Sequence, residues 1–231
     1  MNPVAPLSLY IHLPWCTRKC PYCDFNSHEL RGAVDENAYV QALLDDLKQD
    51  VKLIDGRELQ TIFIGGGTPS LFSGQAIADL LDGIALNINC APDIEVTMEA
   101  NPGSSELNKF SAFRAAGVNR LSIGIQSFNT KHLSALGRVH NSSEALNAAK
   151  AAKHAGFERI NLDIMYALPG QTAESANEDI DQAIKLSPEH LSCYQLTIEP
   201  NTLFHKQPPN LPNEQLGWEI QEIVHNSLNR A

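Results

Sequence analysis

Apolar positions along the chain cluster into short β-rich runs, separated by stretches whose spacing is helical. The runs are Leu7–Leu13 (LSLYIHL), Thr61–Ile64 (TIFI), Ile94–Met98 (IEVTM), Arg120–Ile125 (RLSIGI), Arg159–Met165 (RINLDIM) and Leu191–Ile198 (LSCYQLTI), and each reads as a buried strand. Between them the pattern predicts helices over Glu36–Leu53, with Leu43, Leu44, Leu47 and Val51 on one face, then Gln75–Leu86, Glu106–Ala116, Glu144–Ala155 and Ala173–Leu186. Start signals are Ser105, Ser143 and Thr172; stop signals are Gly117, Gly156 and Pro188. Strand and helix alternate throughout, which predicts βα units on a parallel sheet with right-handed crossovers. An open doubly wound sheet and part of a barrel both fit this periodicity. In either, ligands gather at the C-terminal ends of the strands.

With 231 residues and 43% hydrophobic composition, the chain is read as one large domain over residues 1–231 with its own core. Its net charge of -10 and the lack of any Lys or Arg run argue against a nucleic-acid partner. Met1 leads into NPVAPLSLY without a basic or long apolar leader, and no apolar stretch approaches the roughly 20 residues of a membrane span. The expected location is therefore the cytoplasm, with no integral membrane segment. Five cysteines, three of them between Cys16 and Cys23 and two alone at Cys90 and Cys193, do not resemble a secreted disulfide framework. They point to a metal.

The residues that stand out follow the strands. Cys16, Cys20 and Cys23 come after the first, Gly65–Pro69 after the second, and Glu99, Ala100, Asn101 and Pro102 after the third. Gln126, Ser127 and Phe128 follow the fourth, Asp163 sits within the fifth, and Glu199, Pro200 and Asn201 follow the sixth. The glycine run lacks the Lys of a P-loop, and Ser70 stands where a dinucleotide fingerprint wants its last Gly. Three glycines at a strand end either let backbone approach a ligand or simply make a tight turn. The spacing Cys16-x3-Cys20-x2-Cys23 admits a zinc knuckle completed by His12 or His28, although structural zinc normally takes two pairs of ligands and a second pair is missing. A four-iron cubane on three thiolates leaves one iron open to a small chelating molecule, and this is the preferred reading. Cys90 and Cys193 read as small hydrophobes.

CTRKCPYC resembles the CxxxCxxC signature of radical S-adenosylmethionine (SAM) proteins, whose fold is a partial (β/α)6 barrel. YIHLPWC, KCPYCDFNSH, IFIGGGTPS, EANPG, RLSIGIQSF, LGRVH, NLDIMYALPGQT and YQLTIEPNT extend the likeness, from about Leu7 to Phe204, to the oxygen-independent coproporphyrinogen III oxidase group. The resemblance implies a [4Fe-4S] cluster on Cys16, Cys20 and Cys23, with SAM chelating the open iron. It implies that Tyr10, Gly66, Gly67, Thr68, Glu99, Gln126, Arg138 and Asp163 line SAM. Gly66 and Gly67 would present backbone to its methionine end, Arg138 would pair with a carboxylate, Asp163 would accept from ribose hydroxyls, and Tyr22 would cover the adenine. It further implies an electron donor such as flavodoxin or ferredoxin.

Two departures bear on the subfamily. True coproporphyrinogen dehydrogenases resemble this chain but carry a further Cys two positions after the third ligand, where this chain has Phe25. That favours the group's heme-chaperone branch, which binds heme and delivers it to hemoproteins. An oxidative decarboxylase of coproporphyrinogen III and an inert carrier of cluster and SAM are the alternatives, so catalysis is left open. Family members also continue through a C-terminal region, whereas this chain ends at HNSLNRA after a Leu216–Leu228 helix with an apolar stripe of Leu216, Ile220, Ile223, Val224 and Leu228. A fragment and a short homologue are both compatible with that. None of the eight histidines has a c-type heme context.

Overall fold

The six runs form one sheet. The structure, a computed structural model describing residues 5–231, opens with β1 (Leu7–Leu13), a short parallel pair β2 (Trp15–Cys16) and β3 (His28–Glu29), and helix α1 (Glu36–Asp50). There follow β4 (Leu59–Gly66), α2 (Gly74–Asn87), β5 (Cys90–Ala100), α3 (Ser104–Leu107), α4 (Phe110–Ala115), β6 (Arg120–Gln126), α5 (Thr130–Ala135) and α6 (Ser142–His154). The chain closes with β7 (Arg159–Tyr166), α7 (Ala173–Lys185), β8 (His190–Gln195), α8 (Leu203–Lys206) and α9 (Glu214–Leu228). Part of the leader reading falls on residues 1–4, outside the described residues.

All neighbours in the sheet are parallel, in the order β1-β4-β5-β6-β7-β8. A doubly wound sheet reverses its strand order at a switch point. This sheet never does, so right-handed crossovers stack the helices on one side and the strands curl into the expected partial barrel. The helix-facing side is apolar: Ile62, Ile64, Val96, Met98, Leu121, Ile123, Ile160, Leu162 and Ile164 are all buried against Ile77, Leu80 and Ile84 of α2, Phe110 and Phe113 of α4, the alanines of α6 and Ile180 of α7. Burying each large aliphatic side chain contributes roughly 1.5–3 kcal/mol.

Parallel strands usually read as near-continuous apolar runs because helices cover both faces. These strands alternate instead, since their other face carries Thr61, Glu95, Thr97, Glu99, Arg120, Ser122, Asn161 and Asp163. The inner face is polar by composition.

Helix ends follow capping chemistry with small shifts. Asn141 rather than Ser143 caps α6 in a capping box with Glu144, while Thr172 caps α7 through Ser175. Gly117 and Gly156 close their helices at positive φ. The helix expected over Glu106–Ala116 is split in two. Its first part starts at Ser104 behind Gly103, and Glu106 and Lys109 turn back toward the β4 and β5 ends, Lys109 Nζ donating to the carbonyls of Ser70 and Leu71. The stripe of α9 is partly covered: Ile220 and Val224 are buried, and Ser227 Oγ donates to Asn177 Oδ1 of α7 at 2.9 Å. Among the described residues no helix is long and apolar enough to cross a membrane.

Candidate functional site

A cavity of about 340 Å³ opens at the C-terminal ends of the strands, lined by Cys16, Cys20, Tyr22, Cys23, Gly66, Gly67, Thr68, Glu99, Asn101, Gln126, Arg138, Asp163 and Tyr194, among others. One wall is the cysteine loop. The β2–β3 pair closes it, reinforced by His28 N–H donating to Pro14 O at 2.7 Å and Leu30 N–H to Cys16 O at 2.8 Å. Inside the loop Lys19 Nζ donates to the carbonyls of Phe25 and Ser27, and Cys23 N–H to Cys20 O, so the polar backbone is satisfied locally. Cys16 is buried, and that burial pushes its thiol pKa up, with Cys20 and Cys23 adding to the effect and hydrogen bonds from Thr68 and Ser27 opposing it.

The histidines considered for zinc point elsewhere. His12 Nδ1 pairs with Tyr10 OH at 2.9 Å and its Nε2 with Asn26 O at 2.7 Å, while His28 Nε2 meets Asn26 Oδ1. Neither lines the cavity, and neither do Cys90 and Cys193. Among the described residues no three His, Cys, Asp or Glu side chains converge as they would on a single ion.

The glycine run makes the tight turn that is one of its two readings, with its amides turned inward. Gly66 N–H donates to Glu99 Oε2 at 3.0 Å, Gly67 N–H to Leu13 O at 2.8 Å and Thr68 N–H to Trp15 O at 2.7 Å. The three amides are therefore committed within the protein, and what this turn can offer a ligand is acceptor oxygen. A Cβ on Gly67 would stand 2.6 Å from Trp15 O and 2.8 Å from Pro14 O; one on Gly66, at φ +119°, would meet the His12 ring at 2.7 Å. Small residues are required here because the turn packs against the segment leading into Cys16.

Two half-buried carboxylates face the cavity. Glu99 is raised in pKa by burial and further by Asp163, with the Gly66 bond opposing; Asp163 is raised by burial although it accepts from Ser122 Oγ at 3.0 Å and Asn161 Nδ2 at 2.9 Å. Neither forms an ion pair among the described residues. Opposite them, Arg138 donates through Nη2 to Asn101 Oδ1 at 2.6 Å and Gly124 O at 2.9 Å, and through Nη1 to Cys20 Sγ at 3.6 Å, leaving a buried Nε–H without a partner. Gln126 sits at φ +68° with its Oε1 accepting from Tyr194 OH, and Thr68 Oγ1 accepts from Asn101 Nδ2 at 3.1 Å. Tyr22 packs against Phe204, and burial pushes its hydroxyl pKa up.

Tyr10 is the exception among the expected residues. It stands one rung lower, beside Phe63 on β4, stacks on that ring at 6.2 Å, and remains 57% exposed outside the cavity lining.

Residues 10–183 match the model of the Radical SAM superfamily. The chain belongs to that superfamily. Heme chaperone HemW of Escherichia coli (strain K12) is 55% identical over all 231 residues of this chain, and that of Haemophilus influenzae is 51% identical; the chain spans 61% of the length of each. Among solved structures, coproporphyrinogen III oxidase (HemN) from Escherichia coli, a radical SAM enzyme, superposes with a TM-score of 0.87 at 30% identity, covering 97% of this chain and 52% of that one.

Radical SAM proteins use a [4Fe-4S] cluster and SAM, and the residues present fit both. Three thiols bound one end of the cavity. Beyond them, unpaired carboxylates suit a cationic sulfonium and ammonium, and the unpartnered Arg138 Nε–H suits a carboxylate.

Several cavity or supporting residues escaped the sequence reading. Ser122 lies on the inward side of β6, so extending the alternation back from Gln126 would have found it, whereas Tyr194 of β8 is placed by pairing with Met165, the next inward position after Asp163 on β7. Asp179 is legible as an acid on the apolar stripe of α7: buried, with its pKa pushed up to about 6 by that burial, it accepts from Ser127 Oγ and Phe128 N–H at 2.7 Å each and so anchors the turn after Gln126.

Proposed function

We propose that this chain is the cofactor-binding portion of a cytoplasmic heme chaperone that delivers heme to hemoproteins. The observation that carries the reading is the likeness to HemW, 55% identical over the whole of this chain. The cavity supports it with a thiol triad at the mouth of a zwitterion-binding pocket. Phe25, 61% exposed on the cysteine loop, stands where true dehydrogenases carry their further Cys.

In this reading Cys16, Cys20 and Cys23 would hold the cluster as thiolates. Glu99 and the carbonyls of the Gly66–Gly67 turn would accept from the SAM ammonium, Arg138 would donate to its carboxylate, Asp163 would accept from ribose hydroxyls, and Tyr22 and Gln126 would border the adenine. Thr68 supports the turn through Asn101. When bound, the pair supplies one-electron reductive cleavage of SAM, with the electron coming from a flavodoxin or ferredoxin. The chain's own part is to orient SAM against the cluster and to keep water from the site.

Titrating heme into the anaerobically reconstituted chain tests the chaperone reading. Saturable binding, followed by transfer to an apo-hemoprotein, is expected. The likeness to HemN favours a second reading, oxidation of coproporphyrinogen III. Protoporphyrinogen formed from coproporphyrinogen III with dithionite, above a control without protein, would overturn the first reading in favour of the second.

A further inference from the structure

The cysteine loop receives a hydrogen bond from far along the chain. Arg138, 118 positions from Cys20, follows α5 and donates from Nη1 to the Cys20 sulfur at 3.6 Å. Nη2 is committed to Asn101 Oδ1 and Gly124 O, and a planar guanidinium held by two acceptors on one nitrogen has little freedom to turn away. Asn101 is itself fixed: its backbone N–H donates to Glu106 Oε2 at 2.9 Å and its Nδ2 to Thr68 Oγ1. Glu106, 7% exposed, also accepts from Ser70 Oγ. Consecutive hydrogen bonds thus run from Glu106 through Asn101 and Arg138 to Cys20. Pairing with a ligand carboxylate alone would not require the Nη1–sulfur contact.

We propose that Arg138, oriented by Asn101 and Glu106, raises the reduction potential of the cluster that Cys20 ligates; this rests on the cluster reading of Cys16, Cys20 and Cys23. Reduction by an external one-electron donor adds a negative charge to the cluster and neither makes nor breaks a bond. A cationic N–H donor at a ligating sulfur stabilises the reduced state more than the oxidised one, and hydrogen bonds to sulfur, net charge and burial are what set such potentials. The contact is part-buried, so the charge is screened less than one on the open surface. Asn101 and Glu106 are positioning residues, because they act only through Arg138.

The experiment is EPR-monitored reduction of the anaerobically reconstituted full chain at controlled potentials, without SAM, with iron and sulfide counted in each sample. Arg138→Gln should carry a full cluster whose midpoint potential is more negative than that of the unaltered chain. Asn101→Ala leaves every charge in place, and should shift the potential in the same direction by less. Arg18→Gln removes an exposed charge from the same loop, and should hardly move it because solvent screens that charge. An unchanged potential in fully loaded Arg138→Gln, or an equal shift in Arg18→Gln, overturns the inference. Should Arg138→Gln fail to load, Asn101→Ala decides, and an unmoved potential there overturns it. An unaltered chain without iron and sulfide would instead overturn the cluster reading beneath it.

Discussion

Along β6, Leu121, Ile123 and Ile125 point to the helices and are fully buried, while Ser122 and Gln126, between and beyond them, border the cavity. β7 repeats the division, with Ile160, Leu162 and Ile164 outside and Asn161, Asp163 and Met165 inside. The outer set is stabilising through burial alone. The inner set is costly: burial raises the pKa of Asp163 and Glu99, Gln126 sits at positive φ, and a non-glycine residue there costs on the order of 1–3 kcal/mol. One face thus provides the stability with which the other is held in a strained, ligand-ready arrangement.

The largest expected effect lies where the two meet, at the turn after β4. Gly67→Val puts a branched side chain into the backbone of Pro14 and Trp15, so the segment entering Cys16 must move and cluster loading should collapse, read as iron and sulfide per chain. Normal loading would show that the loop yields cheaply. Next comes the outer face, where Ile123→Ala should cost about 2–5 kcal/mol in denaturant unfolding of the apoprotein, against about 1 kcal/mol for its inner neighbour Ser122→Ala. Equal costs would erase the distinction between the faces.

Inner-face changes should instead appear in binding. Asp163→Ala is expected to weaken SAM by about 1.5–3 kcal/mol, roughly tenfold to a hundredfold, in isothermal titration of the reconstituted chain. Unaltered affinity would make Asp163 a structural partner of Ser122 and Asn161 only. The smallest effect is on pH dependence. Glu99 and Asp163 have raised pKa values in the free protein, and an ammonium at Glu99 and hydroxyls donating to Asp163 both prefer the ionised carboxylate, so SAM affinity should be full above those raised values and should fall as pH drops through them. A flat profile over that range would mean that neither carboxylate contacts the ligand.

Much of this was readable along the chain. The outward apolar positions placed all six strands, with β1 at Leu7–Leu13 as expected, and the strand ends identified the cavity rim. β4 extends to Gly66, beyond the expected Ile64, because Gly65 and Gly66 pair with His12 and Leu13 in a ladder that local propensity disfavours. Glycine spacing could not reveal that the Gly66 and Gly67 amides are used internally, since their partners Glu99 and Leu13 lie on other strands. Tyr10, which the resemblance places with SAM, pairs with Phe63 below the cavity rim. The bond from Arg138 to Cys20 joins residues with no local pattern in common, and only the closing of the barrel wall brings them together.

Three thiolates that leave one iron open for SAM should be visible in EPR of the anaerobically reconstituted, dithionite-reduced chain, recorded without and with SAM. A reduced [4Fe-4S] signal is expected, whose shape changes on adding SAM and which is lost in Cys16→Ala. Stoichiometric zinc with little iron or sulfide, or an iron–sulfur signal indifferent to SAM, would contradict the open iron.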